Sequence, residues 1–156
     1  MFWRLPRREF EASKGTKNRQ LLKRIVTKKR PPGVLAYAGD EVIGWCAVAP
    51  RSEYVALETS RILKPVDDEP VWSISCLFVR KDHRRKGISS KLLCAAVKFA
   101  KAHGAKIVEG YPTEPKDSKM ADPFLWHGIA SSFLAAGFKE VLRRSATRPI
   151  MRYMIR

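Results

Sequence analysis

The chain has 156 residues, of which 45% are hydrophobic and 29% charged, and this balance predicts a globular protein long enough to bury a core. No apolar run approaches the roughly 20 residues of a membrane helix, and no CxxC pair or Cys/His cluster indicates a zinc site or a disulfide framework. The 31 Lys and Arg residues outnumber the 15 Asp and Glu residues, and the resulting net charge of +16 suits an anionic partner; the alternative is a solvated cationic surface without a partner.

The first third of the chain predicts a basic helical region followed by a β-hairpin. The opening stretch MFWRLPRREFEA contains no apolar core segment, so neither a secretory signal nor a transit peptide is indicated, and we expect a cytoplasmic location. Between about Glu9 and Lys29 a basic face covers apolar residues at helical spacing, with an interruption near Gly15. GVLAYAGDEVIGWCAVAP then contains two apolar runs joined by a polar turn at Gly39 to Glu41, which predicts a hairpin.

The middle of the chain predicts a short helix and a well-covered strand. Ser52 to Leu63 is predicted to be helical, and the proline-flanked acidic run KPVDDEP ends it. Val71 to Val79 is rich in β-branched and aromatic residues and predicts a strand. Strict alternation along this strand predicts that one face carries Trp72, Ile74, Cys76 and Phe78. All three cysteines, Cys46, Cys76 and Cys94, have apolar neighbours and are expected to be reduced core residues.

The remainder alternates helices and strands. From Ile88 the apolar period becomes helical and ends at Gly104, and AKIVEGYP then predicts a strand. DPFLWHGIASSFLAAGF predicts a loop and a helix that ends near Gly137, and two extended segments follow it. We therefore expect one mixed α/β (α+β) domain over residues 1–156, of which residues 1–32 form the basic helical region.

The stretch VRKDHRRKGISSKLL, between a predicted strand and a predicted helix, predicts an anion site. The first amides of a helix lack intrahelical partners, and a glycine lets the backbone approach its guest closely. The amides from Arg85 to Ser90, with charge from Arg84, Arg85 and Lys86 and hydroxyls from Ser89 and Ser90, are suited to a diphosphate. The alternative is a charged turn whose serine only caps the helix. Neither a GxxxxGK[ST] loop nor a three-glycine dinucleotide fingerprint is present.

The hexapeptide RRKGIS resembles the acyl-coenzyme A signature of the GNAT superfamily of N-acetyltransferases. Arg84 and Gly87 match that signature, and Ser89 stands where the signature has Gly or Ala. The resemblance extends over FVRKDHRRKGISSKLLCAAVKFAKAHGAK and FLAAGFKEV, and the order of elements agrees from about Gly33 to Tyr153. EGYP and TRPIMRY further resemble a bacterial or archaeal subgroup of unidentified substrate.

The resemblance implies a GNAT-like mixed, mostly antiparallel central sheet flanked by helices, with strands that splay apart at the cofactor site. Acetyl-CoA is then the cosubstrate, without a metal, and its pantetheine arm pairs with the backbone of Leu77, Phe78 and Val79. An amide near Leu77 holds the thioester carbonyl, and Arg84, Arg85, Lys86, Gly87, Ile88, Ser89 and Ser90 bind the diphosphate. The acetyl group passes directly to an amine of an unidentified acceptor. The expected partners are acetyl-CoA, this acceptor and, as a further candidate, an acidic macromolecule. No membrane association is expected, and the chain is expected to be a monomer or a homodimer.

The sequence contains a few candidates for the general base and the general acid. Glu109 is the one carboxylate inside an apolar strand and is our candidate base; the alternatives are an ion pair with an arginine of the C-terminal strands and a water relay. Phe133 occupies the position of the tyrosine that many superfamily members use as general acid, which leaves Ser131, Ser132 and Tyr111 as candidates. Cys76 as an acyl carrier is less favoured than Cys76 as a structural thiol.

Two further expectations concern the acceptor and the charge. An apolar acceptor site is predicted from aromatic residues and a nearby histidine, namely Trp45, Tyr54, Trp72, Tyr111, Phe124, Trp126 and His127. For most of the tryptophans the alternative, which is favoured, is packing in the core. The competing function is a nucleic-acid- or ribosome-binding module on a degenerate acetyltransferase fold. The net charge of +16 supports this alternative. Salt-sensitive nucleic-acid binding without acetyl-CoA binding distinguishes the two.

Overall fold

A mixed sheet forms the centre of the computed structural model, which describes residues 1–27, 30–114 and 126–156. Its six strands lie in the order β1-β2-β3-β4-β6-β5. Every neighbouring pair is antiparallel except β3 and β4, which are parallel. The mixed, mostly antiparallel sheet is therefore confirmed. The strands are β1 (Gly33–Ala38), β2 (Glu41–Pro50), β3 (Trp72–Val79), β4 (Ile107–Gly110), β5 (Lys139–Arg143) and β6 (Pro149–Met154).

Five α-helices and three 3₁₀ turns surround the described sheet. The helices are α1 (Arg7–Ala12), α2 (Thr16–Val26), α3 (Val55–Glu58), α4 (Ile88–Ala102) and α5 (Ala130–Ala135). The 3₁₀ turns are Phe2–Arg4, Arg51–Glu53 and Lys81–His83. The predicted break near Gly15 and the predicted hairpin turn at Gly39 and Asp40 are both confirmed. None of the described helices is long and apolar enough to cross a membrane.

The predicted helix from Ser52 to Leu63 is wrong in length. Only the short α3 forms there, after the 3₁₀ turn at Arg51–Glu53. Hydroxyl groups at the end of this stretch bind the backbone locally: the Thr59 hydroxyl donates to the Ala56 carbonyl, and the Ser60 hydroxyl accepts from the Leu63 amide. Such bonds compete with helical ones, so the helix ends early.

Two apolar clusters lie on opposite faces of the sheet. Val48 and Val108 belong to the cluster under α4, whereas Ala49 and Tyr111 belong to the second cluster. Val48 and Ala49 are neighbours on β2 and therefore point to opposite faces. We call the two sides the α4 face and the α3 face. The side chains that α4 buries are Leu92, Leu93, Ala96, Val97 and Ala100.

A β-bulge in β3 shifts the predicted alternation. Cys76 pairs with Ala47 and Ile74 pairs with Val48, so Ser75 has no partner on β2. An extra residue moves every later side chain to the other face. Trp72, Ile74, Leu77 and Val79 therefore share the α4 face. The prediction that placed Cys76 and Phe78 with Trp72 and Ile74 is wrong for this reason.

The cysteines differ in exposure. Cys46 is buried, Cys76 is half-buried and Cys94 is exposed. Cys94 follows Leu93 on α4 but lies on the side of the helix that faces away from the sheet. The prediction that all three cysteines belong to the core is therefore wrong for Cys94, since apolar neighbours in sequence do not fix which side of a helix a residue occupies.

Candidate active site

The two central parallel strands separate where the resemblance placed a cofactor. Pairing of β3 with β4 begins at Trp72 with Val108 and ends at Ile74 with Gly110. β3 continues to Val79 beyond this point. The bulge at Ser75 lies where pairing stops, and bulges bend the strand that contains them. A gap therefore opens between the strands from Ser75 onward.

The basic turn lies at the end of β3 on this gap. Arg85 and Gly87 both have left-handed backbone conformations, with φ of 60° and 71°. Alternating handedness in consecutive residues turns amides toward a common concavity that suits an anion. Gly87 is followed directly by α4, whose first amides lack intrahelical acceptors. The turn therefore has the backbone geometry of a phosphate site.

The side chains of the turn have different surroundings. Arg85 and Lys86 are exposed, whereas Arg84 is half-buried and its Nε donates to the Val79 carbonyl at 3.0 Å. Arg84 therefore links the turn to the end of β3. The Ser90 hydroxyl donates to the Ser132 carbonyl at 3.2 Å, which joins the first turns of α4 and α5. Ser132 thus lies beside the basic turn, while Ser131 is exposed.

Glu109 lies in a buried ion-pair network on the α3 face. Its Oε2 accepts from Arg152 Nε at 2.7 Å, and its Oε1 accepts from the Tyr111 hydroxyl at 2.7 Å and from Arg51 Nη1 at 3.4 Å. Only 1% of Glu109 is exposed. The ion pair with an arginine of the C-terminal strands, which the sequence left open as an alternative, is therefore present.

Tyr111 connects Glu109 with β3. Its hydroxyl donates to Glu109, accepts from Arg51 Nη1 at 2.6 Å and lies 2.8 Å from the Ser73 hydroxyl. Burial and the adjacent Glu109 raise the pKa of Tyr111, so the phenol stays protonated at neutral pH. The predicted catalytic residues therefore divide into two groups: Glu109 and Tyr111 are in contact, and Ser132 lies elsewhere.

A small cavity, which we call the aromatic pocket, lies beside the bulge on the α3 face. Its volume is about 140 Å³, and its lining includes Phe2, Trp3, Leu22, Trp45, Tyr54, Ser75, Cys76 and Trp126. The structure brings Trp45, Tyr54 and Trp126 together as expected, but Trp72 and Tyr111 do not line this pocket. Trp72 lies in the core under α4 and Tyr111 in the polar network. Phe124 lies outside the described residues.

The N-terminal aromatic residues of this pocket were missed by the sequence analysis. Trp3 lies 6.2 Å from Trp126 between ring centroids and donates from its indole nitrogen to His127 Nε2 at 3.0 Å. His127 is buried, and burial lowers its pKa to about 3, with a smaller contribution from Arg148. The imidazole is therefore neutral at pH 7. Burial likewise raises the pKa of Cys76, which favours the thiol over the nucleophilic thiolate.

A larger cleft lies at the other end of β3. Its volume is about 730 Å³, and its lining includes Trp72, the acidic run from Asp67 to Glu69, and Glu109. Arg152 holds Asp67 through two bonds of 2.6 and 2.9 Å and thereby lowers the pKa of this carboxyl. The cleft lies at the start of β3, whereas the basic turn follows its end. Within the described residues, no cluster of His, Cys, Asp and Glu is arranged to hold a metal ion.

The gap between the strands contains a short segment of the chain. The Leu77 amide donates to the Trp126 carbonyl at 2.8 Å. On the other side of the gap, the Thr113 amide donates to the Gly128 carbonyl at 2.9 Å. The amide that the resemblance assigned to the thioester carbonyl is therefore already paired with Trp126.

A sheet whose parallel central strands separate beside a basic turn and a helix N-terminus is the fold of an acetyltransferase of the GNAT type. The chain belongs to the acetyltransferase (GNAT) family, whose sequence model matches residues 1–119. A search of curated protein sequences found no significant match.

Solved structures of this type resemble the chain in fold. PaiA N-acetyltransferase from Thermoplasma acidophilum, in complex with coenzyme A, is 17% identical with a TM-score of 0.56, over 95% of this chain and 77% of that one. The ribosomal-protein-alanine N-acetyltransferase of Brucella melitensis is 14% identical with a TM-score of 0.55, over 88% and 76%. Arabidopsis thaliana NAA60, in complex with acetyl-CoA, is 15% identical with a TM-score of 0.51, over 87% and 78%. The comparisons give no support to a nucleic-acid-binding module.

Proposed function

We propose that this protein transfers an acetyl group from acetyl-CoA directly to a primary amine of a still unidentified acceptor. The observation that carries the proposal is the basic Gly87 turn, which lies at the end of a strand that has separated from its parallel neighbour. The turn suits a diphosphate, and the gap suits an extended arm. Coenzyme A has both parts in this order.

The proposed cofactor contacts follow from this arrangement. The amides from Arg85 to Ser90 receive the diphosphate, and the exposed Arg85 and Lys86 add charge. The pantetheine arm lies along Leu77, Phe78 and Val79 as an added strand. The Leu77 amide then stabilises the oxyanion that develops on the thioester carbonyl.

The proposed acceptor site is the aromatic pocket. Ser75 and Cys76, which line it, immediately precede Leu77 on β3. An amine in the pocket therefore approaches the thioester from the α3 face, while the cofactor enters beside α4. The amine nitrogen forms a bond to the carbonyl carbon, the carbon–sulfur bond breaks, and its electron pair leaves with the coenzyme A sulfur.

The proposed proton route uses the polar network. Ser73, Tyr111 and Glu109 form a continuous hydrogen-bonded chain on the α3 face, with lengths of 2.8 and 2.7 Å. Ser73 does not line the aromatic pocket, so an ordered water is the proposed link between the amine and Ser73, and Glu109 is the proposed final acceptor of the amine proton. Ser132, next to Ser90 at the start of α4, is the proposed donor to the departing thiolate. The low proton affinity of a thiolate makes this second role a minor one.

Acetyl-CoA binding and turnover test the proposal. Isothermal titration should show acetyl-CoA binding, and a panel of primary amines should release coenzyme A thiol. The double variant Arg85→Gln/Lys86→Gln should weaken binding by roughly tenfold, because two charge-assisted contacts to the diphosphate are lost. The matched control Lys98→Gln/Lys139→Gln removes two other exposed charges and should leave affinity unchanged. Equal affinities for wild type and the Arg85/Lys86 variant would contradict the proposed site.

A further inference from the structure

The Leu77 amide has one hydrogen to donate, and the Trp126 carbonyl already accepts it at 2.8 Å. The thioester carbonyl of acetyl-CoA, which is proposed to bind the same amide, therefore competes with Trp126. We propose that residues 126–128, the competing segment, and the acyl end of acetyl-CoA exclude each other at this amide. Cofactor binding then has two stages. The diphosphate is bound first at the Gly87 turn, and the arm afterwards displaces the competing segment. This inference rests on the proposed function and concerns the regulation of the same site.

The competing segment fills the gap between the separated strands. It is bonded to β3 through Leu77 and to the continuation of β4 through Thr113, which donates to the Gly128 carbonyl at 2.9 Å. Ile129 forms a parallel bridge with Thr113, as a short added strand would. The segment therefore takes up backbone positions along which the pantetheine arm is proposed to lie.

The fit of the competing segment against β3 is close. Gly128 has a φ of +82°, and a Cβ built there would lie 2.7 Å from Leu77 Cδ2. Gly128 therefore meets two requirements that other residues do not: a left-handed backbone and direct contact with the side chain of β3. Only 5% of Leu77 is exposed, so a pantetheine arm along this residue requires the competing segment to move.

Aromatic contacts on the α3 face hold the competing segment in place. The Trp126 ring stacks on Trp3 at 6.2 Å and meets the edge of Phe2 at 5.6 Å. Trp3 also donates to His127 Nε2 at 3.0 Å. These contacts stabilise the conformation in which the amide is taken. They do not involve the Gly87 turn, so the two stages of binding depend on different residues.

The apparent affinity for acetyl-CoA depends on the fraction of molecules in which the Leu77 amide is free of Trp126. The diphosphate binds both states but the arm binds only the state with a free amide, so the arm contributes less to affinity as the population of that state falls. Loss of the Trp126 ring contacts should raise this population and tighten acetyl-CoA binding by about tenfold. Adenosine 3′-phosphate 5′-diphosphate, the fragment of coenzyme A without the arm, should bind wild type and variant equally.

Titration calorimetry on the full chain tests the inference with both probes. Trp126→Ala should tighten acetyl-CoA binding and leave the fragment unchanged, and Tyr37→Ala, an exposed aromatic residue on β1, should change neither. Trp3→Phe keeps the ring but removes the donor to His127. It should give a smaller gain, of a few-fold, and serves where Trp126→Ala does not fold. In stopped-flow fluorescence, acetyl-CoA should show a second phase whose rate saturates with concentration, and the fragment should not.

Failure of the inference and failure of the proposed function give different experimental results. Unchanged or weaker acetyl-CoA binding by both folded variants, with the fragment still bound, overturns the inference and leaves the proposed function intact. An equal gain for both probes also overturns it, because the segment would then act on the turn. If wild type and variants bind neither probe, the proposed function fails and the inference fails with it.

Discussion

Replacement of Glu109 by glutamine separates the structural role of this residue from its proposed catalytic role. Glu109 accepts three hydrogen bonds, from Arg152, Tyr111 and Arg51. Glutamine preserves the shape, but its amide nitrogen must face a donor. The substitution removes the negative charge between two guanidinium groups.

The expected loss of stability in Glu109→Gln depends on which ion pairs Arg152 and Arg51 retain. Breaking a buried ion pair costs about 3–5 kcal/mol. Arg152 keeps two bonds to Asp67 and Arg51 keeps one of 2.9 Å to Glu58, so neither guanidinium is left without a carboxylate. We therefore expect the lower end, about 3 kcal/mol, which corresponds to a fall in melting temperature of roughly 6–12 °C for a chain of this size.

Two measurements on Glu109→Gln test these roles separately. Chemical denaturation at pH 7 gives the free energy of unfolding, and a value within about 1 kcal/mol of wild type would refute the ion-pair reasoning. At a temperature where the variant is folded, loss of a general base should lower kcat/KM by about 10²–10⁴-fold. Activity within a factor of two of wild type would refute Glu109 as base. Asp67→Asn, which alters the exposed end of the same network, should keep full activity.

Two further predictions concern Gly87 and His127. Gly87→Ala and Gly104→Ala place a side chain at similar positive φ angles, 71° and 83°, each in open space, so both should cost about 1–2 kcal/mol of stability by denaturation. Only Gly87→Ala should also weaken acetyl-CoA binding in calorimetry, and an equal effect of Gly104→Ala would disprove an anion site at the turn. The buried His127 has its pKa lowered from 6.5 to about 3, so the unfolded chain binds a proton that the folded chain does not. Stability should therefore be full above pH 6.5 and fall by up to about 1.4 kcal/mol per pH unit as the pH drops below it. Denaturation curves at pH 6.5 and 5 should show that His127→Phe removes this part of the pH dependence of stability. The control His103→Gln, at an exposed position, should retain it. The same pH dependence in His127→Phe as in wild type would contradict a buried neutral imidazole.

Local patterns predicted the parts of this site that are local in sequence. The strand, turn and helix around Gly87 are continuous in the chain, and the change of apolar period at Ile88 marks the helix start where the structure has it. Glu109 is distinctive in the sequence because it interrupts an apolar strand. Its main partner, Arg152, stands directly opposite on β6, a relation that depends on strand register and not on sequence spacing.

The missed features depend on distant contacts. Phe2 and Trp3 reach the aromatic pocket from the first turn of the chain, and Trp3 contacts His127 at a separation of 124 residues. Arg51, in the 3₁₀ turn directly after β2, contacts Glu109 from 58 residues away. Neither approach leaves a periodic pattern. The extra residue at Ser75 also leaves no signal in the sequence, because VWSISCLFV has the composition of a strand whether or not a bulge is present.

The bulge at Ser75 is a difference in chain length and not in chemistry. No substitution at position 75 restores regular pairing, whereas deletion of one residue would let β3 run in register with β2 throughout. Such a deletion would also turn Leu77 and Val79 from the core toward the opposite side. In this fold, therefore, one extra residue in β3 sets both the bend beside the opening and the face on which Leu77 and Val79 lie, and a point replacement that keeps the chain length does not remove it.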